Sequence, residues 1–246
     1  MKNIKILLSE PVLPNEKFHQ KTKLKKAPFI TNEKDWPEEW KKTYFKEYPR
    51  LDKILLPDPH SLDGVSLGKV LSGRRSTRDF SYKKISVEEI SNVLFHSAGL
   101  RKNVGIASRP YPSAGARYPM ELYIISQKCD IPQGVYHYNL RSHSLEVLLE
   151  SSTLQLSSYF SGELVKTASV YILISAVFWR NMIKYGERGY RHILAEAGHI
   201  AQNFYLVSEA LGLGVCALGG YADDKINKIL DIDGLEESVV YVLALG

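Results

Sequence analysis

Residues 190–220, YRHILAEAGHIAQNFYLVSEALGLGVCALGG, decide the fold class. Ile193, Ala197, Ile200, Phe204, Val207 and Leu211 recur at three- and four-residue steps, the spacing of one buried helix stripe. Gly212 follows directly, where a helix closes on a left-handed residue. Val215 to Leu218 then reads as a short strand, and Gly219-Gly220 breaks it before another helix. A long helix turning into a strand predicts helices packed on a sheet.

Outward from this stretch the chain keeps alternating. Ala168 to Phe178 reads as a buried strand, apolar on both faces. Upstream, Gly134 to Asn139 and Ser144 to Leu149 pair as a hairpin through Asn139–His143, and Leu122 to Ser126 reads as another strand. Ser86 and Glu89 form a capping box for a helix that runs to Ala98 and stops at Gly99. Helices are also expected over Leu67–Arg74 and Ser152–Phe160. Downstream, a helix to Leu230 precedes a last strand, Ser238 to Leu245. Asp223-Asp224 is read as the cap of that helix. The hairpin makes the sheet partly antiparallel, so the expected class is α+β, with one mixed central sheet flanked by helices.

Residues 1–60 differ from this pattern. Prolines stand at 11, 14, 28, 37, 49, 57 and 59, only Ile4 to Leu8 reads as a strand, and Glu38 to Tyr48 fits a short helix. This predicts an arm or cap over 1–60 wrapped on a domain spanning 61–246. Residues 1–53 carry 13 Lys and Arg against 8 acids, whereas the rest is balanced at 19 against 19, so the whole net charge of +5 belongs to residues 1–53. A basic face of this kind suits an acidic protein or peptide partner. No helix-turn-helix, zinc or RNP-type pattern supports nucleic acid. The longest apolar run, 168–179, is about half the roughly 20 residues of a membrane span. The N-terminal apolar stretch is too short for a signal peptide. Cys129 and Cys216 are too far apart for metal-ligand spacing and read as packing thiols, which fits a reducing cytoplasm.

Three segments carry chemistry. SGRRSTRDF, 72–80, clusters arginine forks and hydroxyls suited to an anionic head group. RPYPSAGARYP, 109–119, sets small residues between prolines and lets a flat ligand lie close to the backbone. LGLGVCALGGYADDKI, 211–226, places glycines between a strand and a helix, a cradle for anions or polar rings. The dinucleotide G-x-G-x-x-G and the P-loop pattern are both absent.

Taken in order, RRSTRDF, PSAGARYPMELYII, AGHIAQNFYLVSEALGLGVCALGGY and YVLALG resemble the nitroreductase-like FMN superfamily over about residues 62–246. FHQKTK at 18–23, the Pro-rich stretch to Leu56, GVYHYN and HSLEVL resemble its SagB-type azoline dehydrogenases. The resemblance implies that Arg74, Arg75, Ser76 and Arg78 hold the FMN phosphate and ribityl chain. It implies that Pro112, Ser113, Ala114 and Gly115 border the isoalloxazine from the partner subunit of a homodimer, with Gly219 and Gly220 offering backbone contacts near flavin N5. Many members continue past YVLALG into a basic tail. This sequence ends at Gly246, so the expectation is either that phosphate binding leans on Arg74, Arg75 and Arg78 or that the sequence is a piece of a longer chain.

The same resemblance implies a catalytic pair, Lys184 and Tyr185. An adjacent ammonium would lower the phenol's pKa and let Tyr185 act as base, with His199 as runner-up. His192 and His199 are two helical turns apart, too far to share a metal, and no carboxylate set is evident around His137 and His143, so no metal centre is expected. The implied reaction turns a thiazoline or oxazoline of a ribosomally made peptide into an azole, inside a complex with a cyclodehydratase, and oxygen re-oxidises the flavin. The alternatives are an NAD(P)H-using reductase of dehydroamino acids, nitro compounds or quinones, and a flavin-free scaffold.

Overall fold

The computed structural model describes residues 13–26, 32–80, 84–101, 107–161 and 167–246. The strand expected over Ile4–Leu8 lies outside them. The described helices are α1 (Pro14–Lys21), α2 (Glu38–Lys41), α3 (Leu67–Gly73), α4 (Val87–Ala98), α5 (Trp179–Tyr185), α6 (Gly189–Ala210) and α7 (Asp223–Ile229). The strands are β1 (Lys53–Leu55), β2 (Met120–Ser126), β3 (Gly134–Asn139), β4 (Ser144–Glu150), β5 (Val170–Val177), β6 (Val215–Leu218) and β7 (Glu237–Leu245). Among these residues no helix is long and apolar enough to cross a membrane.

The strands form one sheet in the order β1-β4-β3-β2-β5-β7-β6. Every neighbouring pair is antiparallel, so the expected mixed sheet is corrected. The reason is topological. β5 and β6 run the same way, but β7 returns after α7 and inserts between them, so the two never pair.

Helices α4 and α6 cover one sheet face. Ile90, Val93, Leu94, Ile193, Ala197, Ile200 and Phe204 pack on Met120, Leu122, Ile124, Ile172 and Ile174. The capping box of α4 is formed, with the Glu89 amide 3.1 Å from Ser86 Oγ and the Ser86 amide 2.9 Å from the Glu89 carboxylate. α6 ends as its pattern predicts, and Gly212 has φ +70°.

Three local expectations change. Residues 152–160 make only one 3-10 turn, Leu156–Ser158. Helix α2 stops at Lys41, and 42–48 run extended because buried Arg117 takes the carbonyls of Trp40 and Lys42, both at 2.7 Å. The α7 N-cap is Ala222 without a side-chain bond, so Asp223 and Asp224 act as first-turn charges facing the helix dipole.

The second sheet face is divided. At one end, Tyr171, Leu173, Val242 and Ala244 pack with Phe80, Phe160, Ile226 and Leu230. At the other end lie buried Glu121, Tyr123, His137, Ser175 and Glu237. The extended segment 42–48 closes over that polar end. Lys46 Nζ reaches Glu237 at 2.6 Å and the Tyr123 hydroxyl at 2.7 Å, and Tyr48 lies edge-on to His137.

Candidate active site

The segment 110–118 lies along α6, held at two points. Asn203 Nδ2 donates to the carbonyls of Pro110 and Ser97, both at 3.1 Å. About two helical turns lower, Ser113 Oγ donates to Glu196 Oε2 at 2.6 Å and accepts the Tyr118 amide at 2.8 Å. Beyond Ser113 the backbone turns sharply, with Gly115 at φ +63°, Ala116 at +52° and Tyr118 at +46°. Two of these are not glycine, and such conformations persist only where the surroundings enforce them.

Gly115 has a steric reason to be glycine as well. A Cβ there would lie 2.5 Å from the Tyr185 hydroxyl and 3.1 Å from Lys184 Nζ. The Lys184–Tyr185 pair, at the end of α5, therefore meets the small-residue loop within one chain. Two groups singled out 70 residues apart in sequence share a site.

The electrostatics differ from expectation. Burial raises the Tyr185 phenol above its ordinary value, and the Arg117 charge lowers it too little to compensate. The Lys184 ammonium lies over Trp36 at 3.3 Å from the ring centroid, with Trp40 at 5.6 Å. The expected lowering of Tyr185 by Lys184 is thus corrected: the cation is engaged by the arm's indoles, and the phenol is neutral near pH 7.

The arginine segment sits toward the other end of α6. Residues 74–79 follow α3 with neither helix nor strand, and Arg74 and Ser76 face one side while Arg75, Thr77 and Asp79 face another. Arg74 stacks over Tyr205 at 5.3 Å, and Ser76 Oγ is 3.2 Å from the Tyr205 hydroxyl, which accepts the Ala217 amide at 2.8 Å. Arg75, Thr77 and Asp79 line an opposite groove with Glu209. Arg78 is exposed. Two residues past Ala217, Gly219 is open, with nothing within 4 Å of a Cβ position, whereas the Gly220 carbonyl is taken by the Ser161 amide and hydroxyl. Tyr205 thus ties Ser76 to the strand leading to Gly219. Glu196 and Tyr205 are nine residues apart, about 13 Å along the helix, so the loop cluster and the arginine cluster lie at separate places on a common helix.

His199 is exposed on α6, and His192 stacks edge-on against Tyr185 at 5.0 Å. His143 is satisfied by Ser91 and Tyr138. His137 has the carboxylates that the sequence did not reveal: Glu146 at 2.8 Å on Nδ1 and Glu121 at 3.3 Å on Nε2. Arg180 adds a second cation to Glu121. Burial pushes the Glu121 carboxyl up, but the His137 hydrogen bond and the Arg180 charge outweigh it and hold it at about 2. This is a buried ion-pair layer beneath the arm.

Sequence reading missed Glu196. It is 1% exposed, and its Oε1 has no hydrogen-bond partner among the described residues. Burial raises its carboxyl to about 7, against the Ser113 hydrogen bond and the Arg109 charge. The available signal was a carboxylate lodged between Ile193, Ala197 and Ile200 on an otherwise apolar stripe.

A thin loop with a glycine pressed by a Lys-Tyr pair, an open glycine after a strand, and an Arg-Ser-Arg edge form a distinct combination. The model of the nitroreductase family matches residues 71–246. This chain belongs to the nitroreductase family. Its members are typically FMN-dependent oxidoreductases. MJ1384 of Methanocaldococcus jannaschii, whose name places it among nitroreductases, is 34% identical over 184 residues, covering 73% of this chain and 90% of the relative. The microcin B17-processing protein McbC of Escherichia coli is 32% identical over 201 residues, covering 77% of this chain and 74% of McbC. The solved E. coli microcin synthetase McbBCD complex with truncated pro-MccB17 matches at 27% identity and TM-score 0.63, covering 85% of this chain and 86% of its counterpart. A nitroreductase from Desulfovibrio desulfuricans solved in complex with FMN shares the fold, at 21% identity and TM-score 0.50 over 72% of this chain and 83% of that one.

Proposed function

We propose that this chain is an FMN-dependent dehydrogenase that oxidises thiazoline or oxazoline rings in a ribosomally made peptide to azoles. The observation that carries this reading is the Lys184–Tyr185 pair seated on Gly115 of the PSAG loop, in a chain 32% identical to a microcin-processing protein. The residues fit a flavin. Arg74 and Ser76 both face Tyr205 and Arg78 is exposed two residues on, groups suited to a phosphate and polyol, while Gly219 leaves open space beside its backbone. FMN held there would accept the hydride lost from the azoline ring.

The chain's own residues then have two tasks. The loop and Tyr185 orient the ring, and a side chain takes its acidic Cα proton. Tyr185 is assigned that role. Its neutral phenol must first release its own proton to solvent, and the phenolate then takes the Cα proton; a nearby cation is needed to stabilise that phenolate, and Lys184 is the neighbouring cation that can leave the indole for it. The loop cluster and the arginine cluster on α6 are half-sites completed in a homodimer, with the Pro112–Gly115 loop of one protomer facing the arginine edge of its partner. A cyclodehydratase supplies the substrate within a complex, a reading supported by the likeness to the McbBCD synthetase complex solved with its truncated pro-peptide.

The test uses the flavin-loaded protein with a cyclised azoline peptide. Mass spectrometry should find a loss of two hydrogens per ring, with oxygen consumed, and light scattering should find a dimer. A colourless protein that takes up no FMN, or a flavin-loaded monomer with full turnover, would overturn the assignment. The nitroreductase name of MJ1384, at 34% identity, supports a second reading as an NAD(P)H-using reductase. Rapid NAD(P)H oxidation without azoline turnover would favour it.

A further inference from the structure

Glu196 and Asn203 are seven residues apart on α6, about 10 Å along one face, and both grip the loop that carries Gly115. Asn203 does so as an ordinary amide peg on carbonyls. Glu196 is different in kind. It is a buried carboxyl with one oxygen on the Ser113 hydroxyl and the other without a partner among the described residues. A glutamate kept only to neutralise a buried cation would bond Arg109, the cation whose charge acts on it. Arg109 Nη1 instead donates to the Tyr111 hydroxyl at 2.9 Å and to the Met120 carbonyl.

The Tyr118 amide can only donate, so it occupies one acceptor position of Ser113 Oγ, and the Ser113 hydroxyl donates to Glu196. The carboxyl therefore locks the Ser113 rotamer, the Ser113 hydroxyl holds the Tyr118 amide, and the left-handed run at Gly115, Ala116 and Tyr118 is clamped between them. That run presents Gly115 to the Tyr185 hydroxyl.

We propose that Glu196 is a positioning residue for the flavin-facing loop, acting through Ser113 to hold Gly115 against the Lys184–Tyr185 pair. The FMN part of this inference rests on the function proposed above; the loop part does not. The acceptor role, rather than the charge, is what the loop needs, because a protonated carboxyl or an amide oxygen accepts from Ser113 as well as a carboxylate does.

The experiment compares the full chain with Glu196→Gln, Glu196→Ala, Ser113→Ala and the Glu196→Ala/Ser113→Ala double variant. Two quantities are read: hydrogen exchange of the Tyr118 amide without flavin, and the FMN dissociation constant from quenching of flavin fluorescence. Glu196→Ala and Ser113→Ala should each speed Tyr118 exchange and weaken FMN by about tenfold, the scale of leaving one buried hydrogen-bonding group without its partner. Glu196→Gln should stay within about threefold of the parent, and the double variant should be no worse than Ser113→Ala. Unchanged Tyr118 exchange in a folded Glu196→Ala protein overturns the proposal. So do additive losses in the double variant, or a Glu196→Gln variant as impaired as Glu196→Ala. Should Glu196→Ala fail to fold, the rescue by Glu196→Gln and the Tyr118 exchange of Ser113→Ala decide in its place. A parent that binds no FMN while Tyr118 exchange follows the expected order removes the proposed function and leaves the loop assignment standing.

Discussion

The ammonium of Lys184 lies 3.3 Å from the centre of the Trp36 ring, so the arm and the candidate catalytic pair are in direct contact. The arm is pinned on the same side by Arg117, which takes the Trp40 and Lys42 carbonyls, and by Thr43 on the Ala116 carbonyl. A cation on an indole face is stabilised by about 0.5–2 kcal/mol. Trp36→Ala should release the ammonium toward the phenol. The phenolate absorbance of Tyr185, taken as the difference from Tyr185→Phe, should then titrate at lower pH in Trp36→Ala than in the parent. An unchanged titration would mean that Lys184 has no access to Tyr185 even when freed.

Tyr185 itself gives the second prediction. Burial keeps its phenol protonated through the neutral range. Tyr185→Phe keeps the ring and its edge contact with His192, so fold and FMN content should persist. Azoline turnover should fall about 10²- to 10⁴-fold, the usual contribution of a positioned acid–base group. Near-normal turnover in a flavin-replete variant would exclude Tyr185, and loss of flavin would mark the pair as structural.

The arginine cluster predicts an asymmetry. Arg74 and Ser76 face Tyr205, whereas Arg75 lines the opposite groove with Asp79 and Glu209, two acids that disfavour a phosphate. Arg74→Ala should weaken FMN by about ten- to hundredfold through a lost charge-assisted contact, while Arg75→Ala stays within about threefold. Equal losses at the two positions, measured by flavin fluorescence, would show that the side assignment fails.

These sites were legible in the sequence to different degrees. The stripe from Ile193 to Leu211 specifies α6 locally, and the capping box specifies α4, so both stand where the pattern puts them. The Lys184–Tyr185 pair and the PSAG loop were found as separate motifs. Their meeting at Gly115 depends on α5 being carried past the loop by β5, which spacing does not encode. The arm failed as a helix beyond Lys41 because Arg117, about 75 residues away, competes for its carbonyls. The partners of His137 were hidden for a similar reason. Glu121 and Glu146 reach it only through the β2–β3 and β3–β4 register.

The last prediction concerns stability against pH. Burial holds the Glu196 carboxyl at about 7 in the folded chain, whereas an unfolded glutamate titrates near 4.5. The folded state therefore binds more protons between those values, and stability falls as pH rises through that window. The contribution is complete below about pH 4.5 and lost as pH passes about 7. A shift of this size corresponds to roughly 3 kcal/mol. Glu196→Gln keeps the acceptor for Ser113 and removes the ionisation. Its stability relative to the parent should rise across pH 4.5–7 by an amount of that order and then level off. Denaturant unfolding at pH 4.5, 6 and 8 measures the difference. A flat difference across the three values would mean that the Glu196 carboxyl is already ionised at pH 4.5 in the folded protein, and that burial on α6 is compensated by a contact other than Ser113.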